Sequence, residues 1–245
     1  MRDYVLPRHL LRIRNDLRPP SRDSKVVVVA NGGSDLIYLP AHDPELLKTI
    51  VAFLAKQDYV GGIFVNDEYK NVAGALPSST IRLIGSSRTP SPTIAVTFKT
   101  FSTDSKNPIM TGVQITDYPL QHGQGMHGSF GRANTFNFMA AIGPDFKKEF
   151  VDEAPISNAD IAPTLAEILG LPLESSGRLN GRVLTEALAG NKQLNTSKRR
   201  IAVSTAAANG NATVLMYQEY GKQVYFDQAC FEKSKVAKSR IACPN

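Results

Sequence analysis

The sequence predicts an α/β fold: a mixed sheet flanked by helices, with a small C-terminal β-hairpin. Three observations carry this. The β-branched runs Val26–Ala30 and Ile94–Phe98 read as buried strands. Apolar residues at helical spacing sit between two short strands, which makes residues 35–66 a strand–helix–strand unit. Two further runs, Thr213–Gln218 and Gln223–Phe226, flank the turn Glu219-Tyr220-Gly221-Lys222 and read as a hairpin.

Taken in order, residues 1–25 are polar, basic and broken by Pro7, Pro19 and Pro20, with Leu6, Leu10, Leu11 and Ile13 marking one short amphipathic helix. This stretch reads as a connector whose other half lies upstream. Val26–Ala30 follows, then Asn31-Gly32-Gly33-Ser34, then Leu36–Leu39 closed by Pro40, a hairpin around Asn-Gly-Gly. A phosphate cradle at this glycine pair would need the G-x-G-x-x-G or Walker pattern, which is absent. Asp43-Pro44-Glu45 opens a helix: an N-cap, a proline at the first helical position and an acid in the first turn. Leu46, Leu47, Ile50, Val51, Phe53 and Leu54 keep the helical period, so residues 44–57 are helical. Ile63–Val65 is the next strand.

Residues 67–92 are loop-rich, with a strand expected at Ile81–Ile84. After Ile94–Phe98, residues 99–126 make a long excursion through Asn107-Pro108 and Tyr118-Pro119. Thr135–Ile142 is apolar, rich in aromatics and stopped by Gly143-Pro144, so it reads as a buried strand. A helix started by Asn158 is expected over Asp160–Leu169, with Pro163 in its first turn and Gly170-Leu171-Pro172 at its end. Val183–Ala189 reads as a short helix. The organisation is therefore a connector over 1–25, an α/β body over 26–190 and a basic tail with the β-hairpin over 191–245.

The 245 residues carry a formal net charge of +6, gathered in the first two dozen residues and in the tail. No aromatics interleave with these basic residues and no nucleic-acid module signature is present, so the charge reads as solvated surface and excludes nucleic acid as a partner. No apolar run approaches the about 18 residues that span a membrane. The two cysteines, Cys230 and Cys243, suit neither a zinc knuckle nor a redox pair. Two free thiols and one disulfide closing a short loop remain equal alternatives on spacing alone.

The stretch with chemical content is Gly125-Met126-His127-Gly128-Ser129-Phe130-Gly131-Arg132. A histidine between small residues on a loop is accessible to a ligand, because glycine carries no Cβ to block approach. This string, the apolar run ending in Gly143-Pro144, and Asn158-Ala159-Asp160-Ile161-Ala162-Pro163-Thr164-Leu165 together resemble the C-terminal part of the alkaline phosphatase superfamily. The likeness is to its nucleotide pyrophosphatase/phosphodiesterase and sulfatase-like members, and it runs from about Val26 to Ala189. It implies a mostly parallel sheet, part of an alkaline phosphatase-like domain. It also implies a two-zinc site that cleaves phosphate esters or nucleotides, with His127 as a zinc ligand at the C-terminal edge of the sheet, its ring at least partly exposed. Family members are often exported, which favours the disulfide and a periplasmic or secreted location. Met1-Arg2-Asp3-Tyr4, however, leads into a basic segment and not an apolar signal core.

The family pattern uses three aspartates, three histidines and a Thr or Ser nucleophile around zinc ions about 4 Å apart. It includes an adjacent Asp-His pair. Arg8-His9, Ala41-His42, Gln121-His122 and Met126-His127 contain no such pair, and the nucleophile motif has no counterpart. His9 and His42 read as surface residues, Asp43 as a cap, and His122 falls outside the family motif. Asn211-Ala212-Thr213 fits the glycosylation tripeptide, a common pattern. At most one ligand is present, so the chain is expected to be an inactive portion of a zinc-dependent phosphoric ester hydrolase, its missing N-terminal half supplying the rest. The alternatives are a sulfatase-like portion, a catalytically silent module that binds a partner, and, last, an anion-binding protein using the basic ends.

Overall fold

The structure is a computed structural model that describes residues 23–85, 88–104, 106–107, 112–116, 121–174, 181–191, 196–233 and 243. The helix expected around Leu6–Ile13, His9, Pro108 and Tyr118-Pro119 lie outside these residues.

Five strands make the main sheet: β1 (Val27–Ala30), β2 (Ser34–Tyr38), β3 (Val60–Val65), β4 (Leu76–Pro77) and β5 (Ile94–Phe98), in the spatial order β1-β2-β5-β3-β4. Helix α1 (Pro44–Leu54) connects β2 to β3. Asp43 caps it as its sequence indicates, its carboxylate accepting the N–H groups of Glu45 and Leu46, each at 3.0 Å. The β1–β2 hairpin is antiparallel with Val27 opposite Tyr38 and Ala30 opposite Asp35.

The fold class expected from sequence is corrected here. A strand–helix–strand unit predicts neighbouring parallel strands, but β5 inserts between β2 and β3 and runs antiparallel to both. Within this sheet only β3 and β4 pair in parallel, through two residue pairs. Strand residues outnumber helical ones, 29% against 17%, so the molecule is mostly β and antiparallel, not a parallel sheet flanked by helices. The period of the apolar residues identified β2, α1 and β3 but carries no information about which strand lies beside which.

A second sheet, ordered β10-β9-β8, is built from β8 (Lys198–Val203), β9 (Asn211–Tyr220) and β10 (Gln223–Lys233). The expected hairpin is present but longer, and β8 adds a strand the sequence reading did not assign. The alternation along β3 and β5 sends side chains to two cores. Ile63, Val65, Ile94 and Val96 pack with Leu47, Val51 and Leu54 of α1. Phe64 and Ala95 pack the other way, against Leu215 of β9 and Ala229 of β10. The main sheet is therefore a middle layer between α1 and the second sheet.

Two other expectations change. Ile81–Ile84 is not a strand: a 3-10 turn at Ser78–Ile81 ends at Arg82 in the left-handed region, φ 58°. Thr135–Ile142 is not a strand either. A single helical turn, α2 (Arg132–Thr135), is followed by irregular chain in which Phe138 is 92% and Ile142 99% exposed. An apolar run needs a paired neighbour to become a buried strand, and no described strand forms a ladder with it. The helix of the C-terminal motif is α3 (Ile161–Ile168), preceded by a 3-10 turn whose N-cap is Ser157, one residue before the Asn158 expected to start it. Val183–Ala189 holds only a 3-10 turn, Thr185–Ala187. A two-residue ribbon, β6 (Thr100–Phe101) with β7 (Val113–Gln114), completes the elements.

The cysteines resolve to one disulfide, Cys230–Cys243, which ties β10 to the chain beyond it with Cα atoms 5.6 Å apart. No helix among the described residues is long and apolar enough to cross a membrane.

Candidate metal centre at the His127 loop

The loop carrying His127 is held by the β1–β2 turn. Asn31 and Ser34 close that turn twice, by a backbone bond of 3.0 Å and by Asn31 Nδ2 donating to Ser34 Oγ at 3.0 Å. The N–H of Gly33 then donates to the His127 carbonyl at 3.0 Å. The two glycine segments interlock. A Cβ on Gly33 would fall 2.5 Å from Gln114 Nε2 and 2.9 Å from both Met126 Cε and Ser129 Cβ. Gly128 has φ +94°, and a Cβ there would lie 2.9 Å from the Asn31 carbonyl and 3.0 Å from Ser34 Oγ. Asn31-Gly32-Gly33 is thus a turn, as the sequence indicates, and also the seat of the histidine loop, which the sequence did not reveal.

Three residues after His127 the chain is anchored in the core. Phe130 packs between Phe64 and Phe226, with ring centroids 5.8 and 5.7 Å away, and its carbonyl accepts the Ala229 N–H at 2.9 Å. Gln114 Oε1 accepts from Asn134 Nδ2 at 3.2 Å, joining β7 to α2 on the far side of the loop. The imidazole of His127 is exposed while its backbone is fixed on both sides. A fixed backbone under an accessible ring lowers the ordering cost of ligation.

The other histidines do not converge on it. His122 is exposed on the same loop, and His42 faces Glu68 at 3.4 Å on the surface. Among the described residues no group of three or more His, Cys, Asp or Glu side chains could hold a metal ion.

The second motif, around α3, has a different role from the first. Asp160, 1% exposed, closes a capping box with Ser157, accepting its N–H at 2.9 Å. It also accepts the Arg182 N–H at 2.8 Å and the Tyr225 hydroxyl at 3.1 Å. Arg182 reaches Glu186 through both terminal guanidinium nitrogens, Nη1 to Oε2 at 2.8 Å and Nη2 to Oε1 at 2.5 Å, and its Nε donates to the Tyr225 hydroxyl at 2.9 Å. Burial pushes Glu186 up, but the hydrogen bond and charge of Arg182, a backbone hydrogen bond and the hydrogen bond from Asp152 together outweigh it and leave the carboxyl below its usual range. Burial raises Asp152, and the neighbouring Glu186 carboxylate raises it further. Burial also raises the Tyr225 phenol. This network staples the α3 region to β10. The Ser-x-x-Asp spacing at 157–160 is the signal for this cap that the expectation of Asn158 as the helix start passed over, and nothing in the sequence signalled the partners Arg182 and Tyr225.

Compared with protein-family models, curated proteins and solved structures, the chain finds no match.

Proposed function

We propose that this chain is the C-terminal portion of a zinc-dependent phosphoric ester hydrolase, of the phosphodiesterase, nucleotide pyrophosphatase or phosphatase type. His127 is one zinc ligand. The remaining ligands and the attacking hydroxyl come from a complementary segment that this chain does not contain, because the chain has no Asp-His pair and no nucleophile motif. The resemblance of the Gly125–Arg132 and Asn158–Leu165 strings motivates the reading. The observation that carries it is the exposed His127 ring on a backbone pinned by Gly33 and Phe130. In the complete site, zinc would polarise the phosphoryl group and activate the nucleophile. This chain's part is to hold one imidazole in place. A periplasmic or secreted location belongs to the same proposal, and the Cys230–Cys243 disulfide is compatible with it.

The experiment is a zinc titration of the purified chain followed by the NMR resonances of the His127 ring. One ligand binds zinc weakly, so the resonances shift only at high zinc and the shift disappears in His127→Ala. The same preparation does not turn over bis(p-nitrophenyl) phosphate. Tight zinc loading that persists in His127→Ala overturns the ligand assignment. Turnover that survives repurification and disappears in His127→Ala overturns the claim that the site is incomplete.

A second reading, a catalytically silent module that binds a partner, draws on the exposed side chains of Phe138 and Ile142. It predicts no His127 shift at any zinc concentration.

A further inference from the structure

The two larger sheets have four outer edges, and three are closed. β4 is two residues long and ends in Pro77, which has no N–H to offer. β8 carries the exposed charges Lys198, Arg199 and Arg200. β10 is bulged between Phe226 and Gln228 and covered by the segment after the histidine loop, through Ala229 N–H to the Phe130 carbonyl and the Thr135 hydroxyl to the Asp227 carbonyl. Among the described residues the fourth edge, β1, has none of these devices. Its residues Val27-Val28-Val29-Ala30 contain no charge, proline or bulge and, among the described residues, pair only with β2. Val26, Val28 and Val29 are 37%, 56% and 44% exposed. Four consecutive valines are the composition of a strand covered on both faces, inside a sheet.

We infer that β1 is an acceptor edge that takes one further β-strand, donated by the polypeptide that completes the proposed zinc site. The inference rests on the hydrolase reading for the identity of the donor. Two observations select this occupant over a second copy of the chain. The first is area. The three exposed valines offer on the order of 200 Å², far below the roughly 800 Å² per partner of a stable interface. A strand from a larger folded portion brings cover for both faces of β1, whereas a copied edge does not. The second is continuity with the site. β1 runs directly into the Asn31–Ser34 turn, and that turn holds the His127 carbonyl through Gly33. A strand laid along β1 therefore ends beside His127, where the missing ligands are required. The affinity comes from main-chain hydrogen bonds and the selectivity from apolar side chains at alternate positions.

The test uses the full chain and a capped peptide with a Val-Val-Val-Val-Ala core and lysines at both ends. Its control is the same peptide N-methylated at alternate amides, which cannot form a ladder. The expected result is a shift of the backbone amide resonances of Val27–Ala30 and of the His127 loop, with slowed hydrogen exchange in β1, and no effect from the methylated peptide. Unchanged β1 amides at millimolar peptide overturn the inference. So does a dimer of the chain alone in light scattering that Val28→Lys dissociates, since a copy is then the occupant. The zinc titration of His127 is read separately. A chain that accepts the peptide but shows no zinc shift keeps the acceptor edge and loses the donor proposed for it.

Discussion

Thr213 of β9 accepts the backbone N–H of Ile63 of β3 at 3.0 Å, across 150 residues of sequence. The same hydroxyl donates to the Gly74 carbonyl at 2.6 Å, and the side chain is fully buried. β4 pairs with β3 only at Phe64 and Val65, so the N–H of Ile63 has no strand partner on that side. Thr213 supplies what the short strand does not.

Thr213→Val keeps the shape of the side chain and removes both bonds. It leaves a buried N–H and a buried carbonyl without partners, at a cost of about 1–3 kcal/mol each way the penalty is shared. Urea denaturation should show a lower midpoint with an unchanged slope. An unchanged midpoint would mean that water replaces the hydroxyl.

Gly128→Ala places a Cβ against Asn31 and Ser34 at a backbone angle that disfavours side chains. The expected strain is about 1–3 kcal/mol. It should be relieved by lifting the histidine loop off the β1–β2 turn. Amide resonances of Gly33 and His127 should move together, and protease cleavage within residues 123–129 should accelerate while the core stays folded.

Asp152 sets a pH dependence. As a carboxylate its Oδ2 is buried without a donor; protonated, it can donate to Glu186. Its folded-state value is raised, so its contribution is full below the ordinary carboxylate range and is lost as pH rises through the raised value. Asp152→Asn donates permanently and cannot ionise. Its melting temperature should exceed that of the natural protein at neutral pH, and the difference should close as pH falls. A difference that is constant with pH would place the effect outside this pair.

The disulfide closes a loop with a sequence separation of 13. Reducing it should cost about 3 kcal/mol by the chain-entropy estimate for a loop of that size. Thermal melts with and without a reductant measure this directly. Cys243 packs on Val214 in the second sheet, so hydrogen exchange should rise first in β9 and β10.

What the sequence made legible was local. Asp43-Pro44-Glu45 started α1 where expected, and Asn31-Gly32-Gly33 turned the first hairpin, because capping and turn chemistry act within a few residues. The position of β5 between β2 and β3 was not legible, because pairing is decided by contacts across the chain. Thr135–Ile142 misled for a related reason. Its apolar composition states a need for cover, and the described chain leaves Phe138 and Ile142 almost fully exposed. For the candidate site, the sequence pointed to His127 and left its seat on Gly33 unseen, since that contact joins segments nearly a hundred residues apart in an otherwise ordinary turn.

The placement of β5 also dictates an order of events during synthesis. β2, α1 and β3 leave the ribosome early, yet the two strands cannot share a sheet until residues 94–98 arrive to lie between them. Phe64 then waits for Leu215 and Ala229, more than a hundred residues later, before its face of the sheet is covered. Nascent chains of intermediate length should expose Phe64 and Ala95 on that side and recruit chaperones. A pause in translation before β9 would lengthen the exposure, and one after β10 would not.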